Sequence, residues 1–284
     1  MKENQIIKTI LDRSSIRAFR EKKIEQDILD KIIEAGERAP TSGNLQPYSI
    51  IISRDKAKKE FLSKVTKMKF IEDADVLLFF ILDFARLERW AKLNDAPFVM
   101  GKSFRHFLTS VHDTICCAQN IVIASESYGL GSVFIGKVIE LYQELKGYLE
   151  LPRLTFPVAL LCLGYPDKKI DKKTSRLPKG AILHEESYNQ TKDDEIASWF
   201  DEKYRGRKIS LDEKTKWLYL NVLRIAVGEK KYREALKNLE ESPVLNLPQY
   251  LFGIQYQAHV MPKLGYKIKL DLVEAGFECF EDEF

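Results

Sequence analysis

Two short segments near the start of the chain concentrate side chains able to do chemistry. They are Arg13-Ser14-Ser15-Ile16-Arg17-Ala18-Phe19 and Pro40-Thr41-Ser42-Gly43-Asn44-Leu45-Gln46-Pro47. In an extended stretch alternate side chains point the same way, so Arg13, Ser15 and Arg17 can face one ligand. Two guanidiniums and a hydroxyl suit a phosphate or the polar edge of a ring. Thr41, Ser42, Gly43 and Asn44 form a turn rich in donors, stiffened by Pro40 and Pro47. Taken singly, each segment also fits a plainer role, as solvated arginines after a helix or as an ordinary polar turn.

Two further segments lie downstream. Gly129-Leu130-Gly131-Ser132-Val133-Phe134-Ile135-Gly136 has the glycine content of a dinucleotide fingerprint in the wrong context. It leaves a helix and enters a strand, whereas the Rossmann motif leaves a strand and opens a helix, so that reading is rejected. Its glycines instead permit close backbone approach, with Phe134, Ile135 and Gly136 beside a flat group. Lys172-Lys173-Thr174-Ser175-Arg176-Leu177-Pro178 supplies a basic cluster after the last core strand.

The elements that must position these segments are legible from periodicity. Apolar residues at helical spacing predict helices over residues 2–11, 24–38, 55–67 and about 104–128. Pro40 forbids continuation of the second, and Gly129 is placed to end the fourth as a left-handed cap. Short β-branched runs predict strands at Tyr48–Ile52 and Val133–Ile135. The continuous apolar runs Asp75–Asp83 and Val158–Leu163 predict buried strands. Residues 138–149 read as a helix. After Tyr188 no strong strand is expected. Trp217, Leu218, Leu220, Val222, Leu223 and Ala226 form one helical stripe, and Tyr232, Ala235, Leu236 and Leu239 another.

Bulk composition narrows the function. The chain has 284 residues, 45% hydrophobic and 31% charged, with a net charge of +3. That is a globular composition with too little positive charge to suggest nucleic acid, and no face is obviously basic. The start Met1-Lys2-Glu3-Asn4-Gln5 has no apolar core, so no secretory leader and a cytoplasmic location are expected. Val76–Leu82 is too short to span a bilayer. Cys116, Cys117, Cys162 and Cys279 show no metal-binding spacing and read as reduced thiols; no metal is expected. His112-Asp113 could form an acid–base pair, although a satisfied helical histidine is the plainer reading.

In order and spacing, these segments resemble the nitroreductase superfamily, in its NADPH-dependent nitroreductase and FMN reductase branch. Ala118-Gln119-Asn120, Leu161-Cys162-Leu163-Gly164-Tyr165-Pro166 and His184-Glu185-Glu186-Ser187-Tyr188 extend the resemblance over residues 5–190. It implies an α+β fold, a central mixed sheet flanked by helices, with an FMN-binding domain over residues 1–190 and a helical C-terminal extension over 191–284. It implies an FMN enzyme that takes hydride from NADPH or NADH by a ping-pong cycle and reduces nitroaromatics, quinones or flavin. The flavin carries that chemistry, so no catalytic side chain is assigned. Arg13, Ser15 and Arg176 would hold the FMN phosphate, and Arg17 would face the N1/O2 edge of the ring. Ser14, Pro40, Thr41, Ser42, Gly43, Asn44 and Gln46 would frame the ring or ribityl chain, and Phe134, Ile135 and Gly136 would lie beside the ring. The family lysine two residues before Arg176 is Thr174 here, with Lys173 as a substitute. Met68 stands where a polar glutamine is common. Arg205 and Arg207 are candidates for the NADPH phosphate.

The resemblance further implies a homodimer. Its alternatives are a flavin-fragmenting or dehalogenating relative, or a binding module whose extension covers the pocket with Tyr250, Phe252, Tyr256 and Phe277.

Overall fold

The computed structural model describes residues 4–168 and 173–281. Met1 to Glu3 and Lys172, used above, lie outside them. The described chain forms two compact units. One runs to Lys173 and resumes at Lys267; the other is Thr174–Tyr266. The boundary expected at 190/191 falls inside the second.

In the first unit the helices α1 (Gln5–Asp12), α2 (Gln26–Glu37), α3 (Lys56–Thr66), α4 (Ala85–Leu93), α5 (Phe104–Ser127) and α6 (Tyr142–Tyr148) surround four strands. These are β1 (Tyr48–Ser53), β2 (Val76–Asp83), β3 (Gly131–Ile135) and β4 (Thr155–Gly164), in the order β1-β2-β4-β3. The expected α+β architecture is present. The three strand pairings are all antiparallel. The sheet is mixed only at its edge, where Ser15 makes an isolated parallel bridge to Ser132.

Every residue of β2 is buried. Its side chains alternate between two cores, as the period of a strand requires. Leu77, Phe79 and Ile81 pack with Leu62 of α3 and Leu145 of α6. Val76, Leu78 and Phe80 pack with Leu29 and Ile32 of α2 and with Ile121 and Val122 of α5. A strand covered on both faces must be apolar throughout, which is why the run is continuous rather than alternating.

Three expectations change. Residues 138–149 are a 3₁₀ turn over Gly136–Glu140 followed by α6, not one helix. Helix α4 carried no periodicity strong enough to predict it. Helix α1 forms, yet its stripe of Ile6, Ile7, Ile10 and Leu11 is exposed.

The second unit contains α7 (Asp193–Tyr204), β5 (Lys208–Ser210), α8 (Glu213–Ala226), α9 (Glu229–Glu241), β6 (Val244–Asn246) and α10 (Leu247–Tyr250). β5 and β6 pair antiparallel, so a small sheet exists where none was expected. Tyr219, Leu220, Leu239 and Leu245 form its core. Trp217, placed in the α8 stripe by sequence, is exposed instead.

Helix α11 (Met261–Glu274) carries the chain back into the first unit at Lys267. Leu272, Ala275 and Phe277 bury against Leu82, Phe84 and Phe156. Phe277 is grouped by the sequence with aromatics expected to cover the pocket in the binding-module alternative. It is fully buried, its ring 5.5 Å from that of Phe84 and 5.6 Å from that of Phe107, and is a core residue. Among the described residues no helix is long and apolar enough to cross a membrane.

Phe277→Ala would leave a large cavity in this cluster. It should lower unfolding free energy by about 3–5 kcal/mol, read as a lower urea midpoint at unchanged slope.

Candidate functional site

The segment after α1 runs along the open edge of the sheet. The Ile16 amide donates to the Ser132 carbonyl at 2.9 Å, the Arg20 amide to Tyr165 and the Asp167 amide to Ala18. Ile16 and Phe19 are buried, while Arg13, Ser14 and Ser15 are half-buried and Arg17 is exposed. Arg17 and Ser15 flank the buried Ile16 as the sequence suggested, but strict alternation does not hold along the segment, since Ser14 is half-buried like its neighbours and Ala18 is exposed like Arg17.

The fit depends on two glycines. Gly131 and Gly164 face each other across the β3–β4 ladder. A Cβ on Gly131 would lie 2.5 Å from Ile16 Cγ1, and one on Gly164 would lie 2.8 Å from Phe19 Cδ1. Glycine is needed here so that a covering strand can approach, not for a flat ligand. Gly136 differs: a Cβ there would meet nothing within 4 Å. Open space therefore adjoins Gly136, and Phe134 is partly exposed, while the Ile135 side chain between them is buried in the core.

The site thus joins Arg13, Ser14, Ser15 and Arg17 to β3 and its C-terminal end. Lys173 joins them, its Nζ donating to Asp12 Oδ1 at 2.7 Å. Among the described residues Arg13 and Arg17 make no ion pair or side-chain hydrogen bond. Two uncommitted guanidiniums beside a serine and a lysine are a donor set that fits a phosphate dianion. Arg13 instead faces Glu126, near the end of α5. Burial pushes the Glu126 carboxyl up to about 7, Arg13 opposing the shift. Its Oε1 is buried without a partner. No motif in the sequence marks this group.

The Pro40–Gln46 loop is held elsewhere. Asp113 of α5 is buried, and its Oδ2 accepts the Ser42 amide at 3.1 Å. Thr41 Oγ1 accepts the Gln46 amide at 3.2 Å. Gly43, Asn44 and Gln46 all have positive φ, of 60°, 55° and 48°. Such a backbone persists only when its surroundings fix it. Arg86 does so, donating from Nη2 to the carbonyls of Gln46 at 2.7 Å and Tyr48 at 2.9 Å. Asp83 in turn accepts the Arg86 amide at 3.1 Å and the Ser49 hydroxyl at 2.5 Å. Asp113 is therefore a loop anchor and not the partner of an exposed His112. Asp83 and Arg86 went unnoticed, although Asp83-Phe84-Ala85-Arg86 is the signal of a side chain capping a helix start.

The loop and the arginine strand are not brought together within one chain. Asp113 and Glu126, their respective contacts on α5, are thirteen residues apart, or about 20 Å at ~1.5 Å per residue. Arg176, Arg205 and Arg207 belong to the second unit, where all three are exposed. There Arg207 and Lys208 line a cavity of about 390 Å³ with Phe200 and Phe252.

Comparison with known proteins defines the class of this fold and site. Residues 10–165 match the model of the nitroreductase family, and the chain belongs to that family. It is 34% identical over 223 residues to an FMN reductase (NAD(P)H) of Bacillus subtilis, covering 75% of this chain and 88% of that one. It is 33% identical over 193 residues to a Cr(VI) reductase of a Pseudomonas species, covering 67% and 79%. A solved structure of an oxidoreductase from Bacteroides fragilis superposes with a TM-score of 0.78 at 28% identity, covering 95% and 99%.

Because Glu126 is raised above the ordinary carboxylate value, the folded protein holds its proton more tightly than the unfolded one. Stability from this group is full below about pH 4.5 and is lost as pH rises towards 7. Glu126→Gln should therefore raise Tm at pH 8 in the flavin-free protein. After discounting for partial exposure the gain is about 1 kcal/mol, or roughly 2–4 °C. The difference should vanish at pH 4, and an equal gain at both pH values would refute this account.

Proposed function

We propose that this chain is a cytoplasmic, homodimeric FMN oxidoreductase that uses NAD(P)H to reduce small organic acceptors. The observation that carries the reading is the arginine strand on the sheet edge. Its cations Arg13 and Arg17 are uncommitted among the described residues, and Gly136, at the end of the strand it joins, opens on free space. Arg13, Ser14, Ser15 and Lys173 would hold the phosphate. Arg17 would place positive charge at the ring edge, where negative charge develops on reduction. Phe134, Ile135 and Gly136 would border the ring. When bound, FMN takes hydride from NAD(P)H and passes it to a second substrate, which makes the kinetics ping-pong.

Two observations support the homodimer. The anchors of the loop and of the arginine strand are about 20 Å apart along α5, by the helical rise. One ring framed by Ser42, Asn44 and Gln46 together with Arg17 would therefore take its loop from a second copy. Moreover Ile6, Ile7 and Leu11 of α1 and Phe104, Leu108 and Ile115 of α5 are exposed. A helix whose whole apolar stripe faces solvent calls for a partner.

The acceptor class follows from a cavity of about 370 Å³ lined by Leu45, Leu87, Trp90, Pro97 and Phe98. It adjoins the loop through Leu45 and has no charged side chain in its wall. That supports flat, uncharged acceptors such as quinones and nitroaromatics over flavin phosphates. Arg205 and Arg207 are proposed for the extra phosphate of NADPH, supported by the aromatic and basic cavity beside them.

The purified protein should show a flavin spectrum, as isolated or after adding FMN, that bleaches anaerobically with NADPH. Failure to take up FMN sinks the reading. Shared sites can be tested by mixing subunits. An Arg13→Ala/Arg17→Ala variant and a Ser42→Trp variant should each bind FMN poorly. Hybrid dimers of the two should have one of their two sites intact, so a randomly mixed sample, about half of it hybrid, should regain roughly one site in four. Mixtures that bind no better than either parent would refute a site shared between copies.

A further inference from the structure

Charge in this chain is close to balanced overall, yet one cavity of the first unit is not. It has a volume of about 790 Å³ and is walled by Phe19–Lys23, by the start of α3 and by the residues leading into β2. None of its wall belongs to the proposed flavin site. Its acids are partly committed. Asp75 accepts the Ile24 amide at 2.8 Å and pairs with Arg54 at 3.6 Å, and its side chain is nearly buried. Glu72 pairs with Lys69. Arg54 is committed too, donating to the Ile24 carbonyl at 2.7 Å. Glu21 and Asp73 are the remaining acids. Against them stand Arg20, Lys22, Lys23 and Lys59, with Lys56 paired to Glu60 of its own helix.

Lys59 has the least ordinary setting. It is half-buried in the wall, and its Nζ donates to the backbone carbonyl of Asp75 at 2.8 Å. No carboxylate lies within ion-pairing distance of it among the described residues. An ammonium carries three donors, so two remain unmet. Burial holds its pKa below the usual lysine range, Asp75 opposing that shift, Arg54 reinforcing it and Cys162 opposing it. Lys22 is fixed nearby over the Tyr165 ring at 3.8 Å. A partly desolvated cation facing a cavity rimmed by further cations is stabilised by an anion. The free donors are mainly ammonium point charges, since Arg54 is committed, and these suit a tetrahedral phosphate more than a planar carboxylate. The volume is that of a small-molecule site.

We propose that this cavity binds a small phosphorylated ligand whose phosphate meets Lys59 under the rim formed by Arg20, Lys22 and Lys23. The site is independent of the flavin site and needs no flavin to be tested.

Lysine footprinting with an acetylating reagent reads the proposal directly. In the full-length protein at pH 8, Lys59 should acetylate in the absence of ligand, and ribose 5-phosphate should slow it. At about ten times its Kd a ligand slows the reaction roughly tenfold, because protection scales with occupancy. Exposed lysines such as Lys31 and Lys214 serve as references and should keep their rates. Ribose without phosphate should give no protection. Pyrophosphate in place of the ester separates inorganic phosphate from an organic ester as the source; protection by either supports a phosphate site. A Lys22→Ala/Lys23→Ala variant should require about tenfold more ligand for the same protection, with FMN uptake unchanged. The proposal is overturned if neither phosphate compound slows Lys59, or if both slow the reference lysines equally.

Discussion

The structure depends on one contact, the seating of the segment after α1 on the edge of the sheet. An edge strand presents unpaired amides and carbonyls that must be covered. Here they are covered by residues 15–20, through the Ser15–Ser132 and Phe19–Pro166 bridges. The seat exists because Gly131 and Gly164 lie opposite each other, leaving room for Ile16 and Phe19. Alternation about the buried Ile16 turns Ser15 and Arg17 the other way, whereas Phe19, of the same parity as Arg17, is buried by its own seat on Gly164. Burial of Ile16 thereby sets the direction of its polar neighbours, and the chemistry of the segment follows from its packing.

Helix α5 governs the rest. Its middle buries Cys117, Ala118, Ile121 and Val122 against the sheet, which fixes its axis. One position near its centre, Asp113, then secures the Ser42 amide, and one near its end, Glu126, faces Arg13. Both are acids placed where their charge costs something. Asp113 offsets that with a charge-assisted hydrogen bond. Glu126 does not, since one of its oxygens has no partner, and its proton affinity rises accordingly.

Much of this was legible in the sequence, and the reasons are local. β2 and β4 are continuous apolar runs, α5 is a long helical stripe, and Gly129 ends it with φ of 72° as its cap position suggested. The α1 stripe was legible as a helix but not as an exposed one, because periodicity reports a face and not what covers it. Gly131 and Gly164 were visible as glycines, but their purpose was not, since Ile16 and Phe19 lie more than a hundred residues away. Asp83, Arg86 and Glu126 were hidden for the same reason. The return of residues 267–281 to the first unit was equally invisible, because its evidence is the burial of Phe277 among residues from three distant parts of the chain. The small β5–β6 sheet was missed because three-residue strands carry too little pattern to register.

The distribution of charge shows how a near-neutral total conceals local imbalance. Most ion pairs in the described residues join near neighbours in sequence, as in Lys56–Glu60, Lys92–Glu88 and Arg233–Glu229. Such exposed pairs contribute little stability, but they remove charge from the surface field. What they leave behind is then informative. Arg13 and Arg17 make no ion pair among the described residues because the sheet edge offers only backbone and because Glu126, the acid that Arg13 faces, is pushed towards its protonated form by burial. Lys59 keeps its charge because Asp75 is already committed to Arg54 and the Ile24 amide, leaving only its carbonyl for Lys59. At Lys59 the fold has allotted the neighbouring acid to other partners, and at Arg13 burial raises the proton affinity of the neighbouring Glu126, so in both places the cation is left for something the chain does not itself supply.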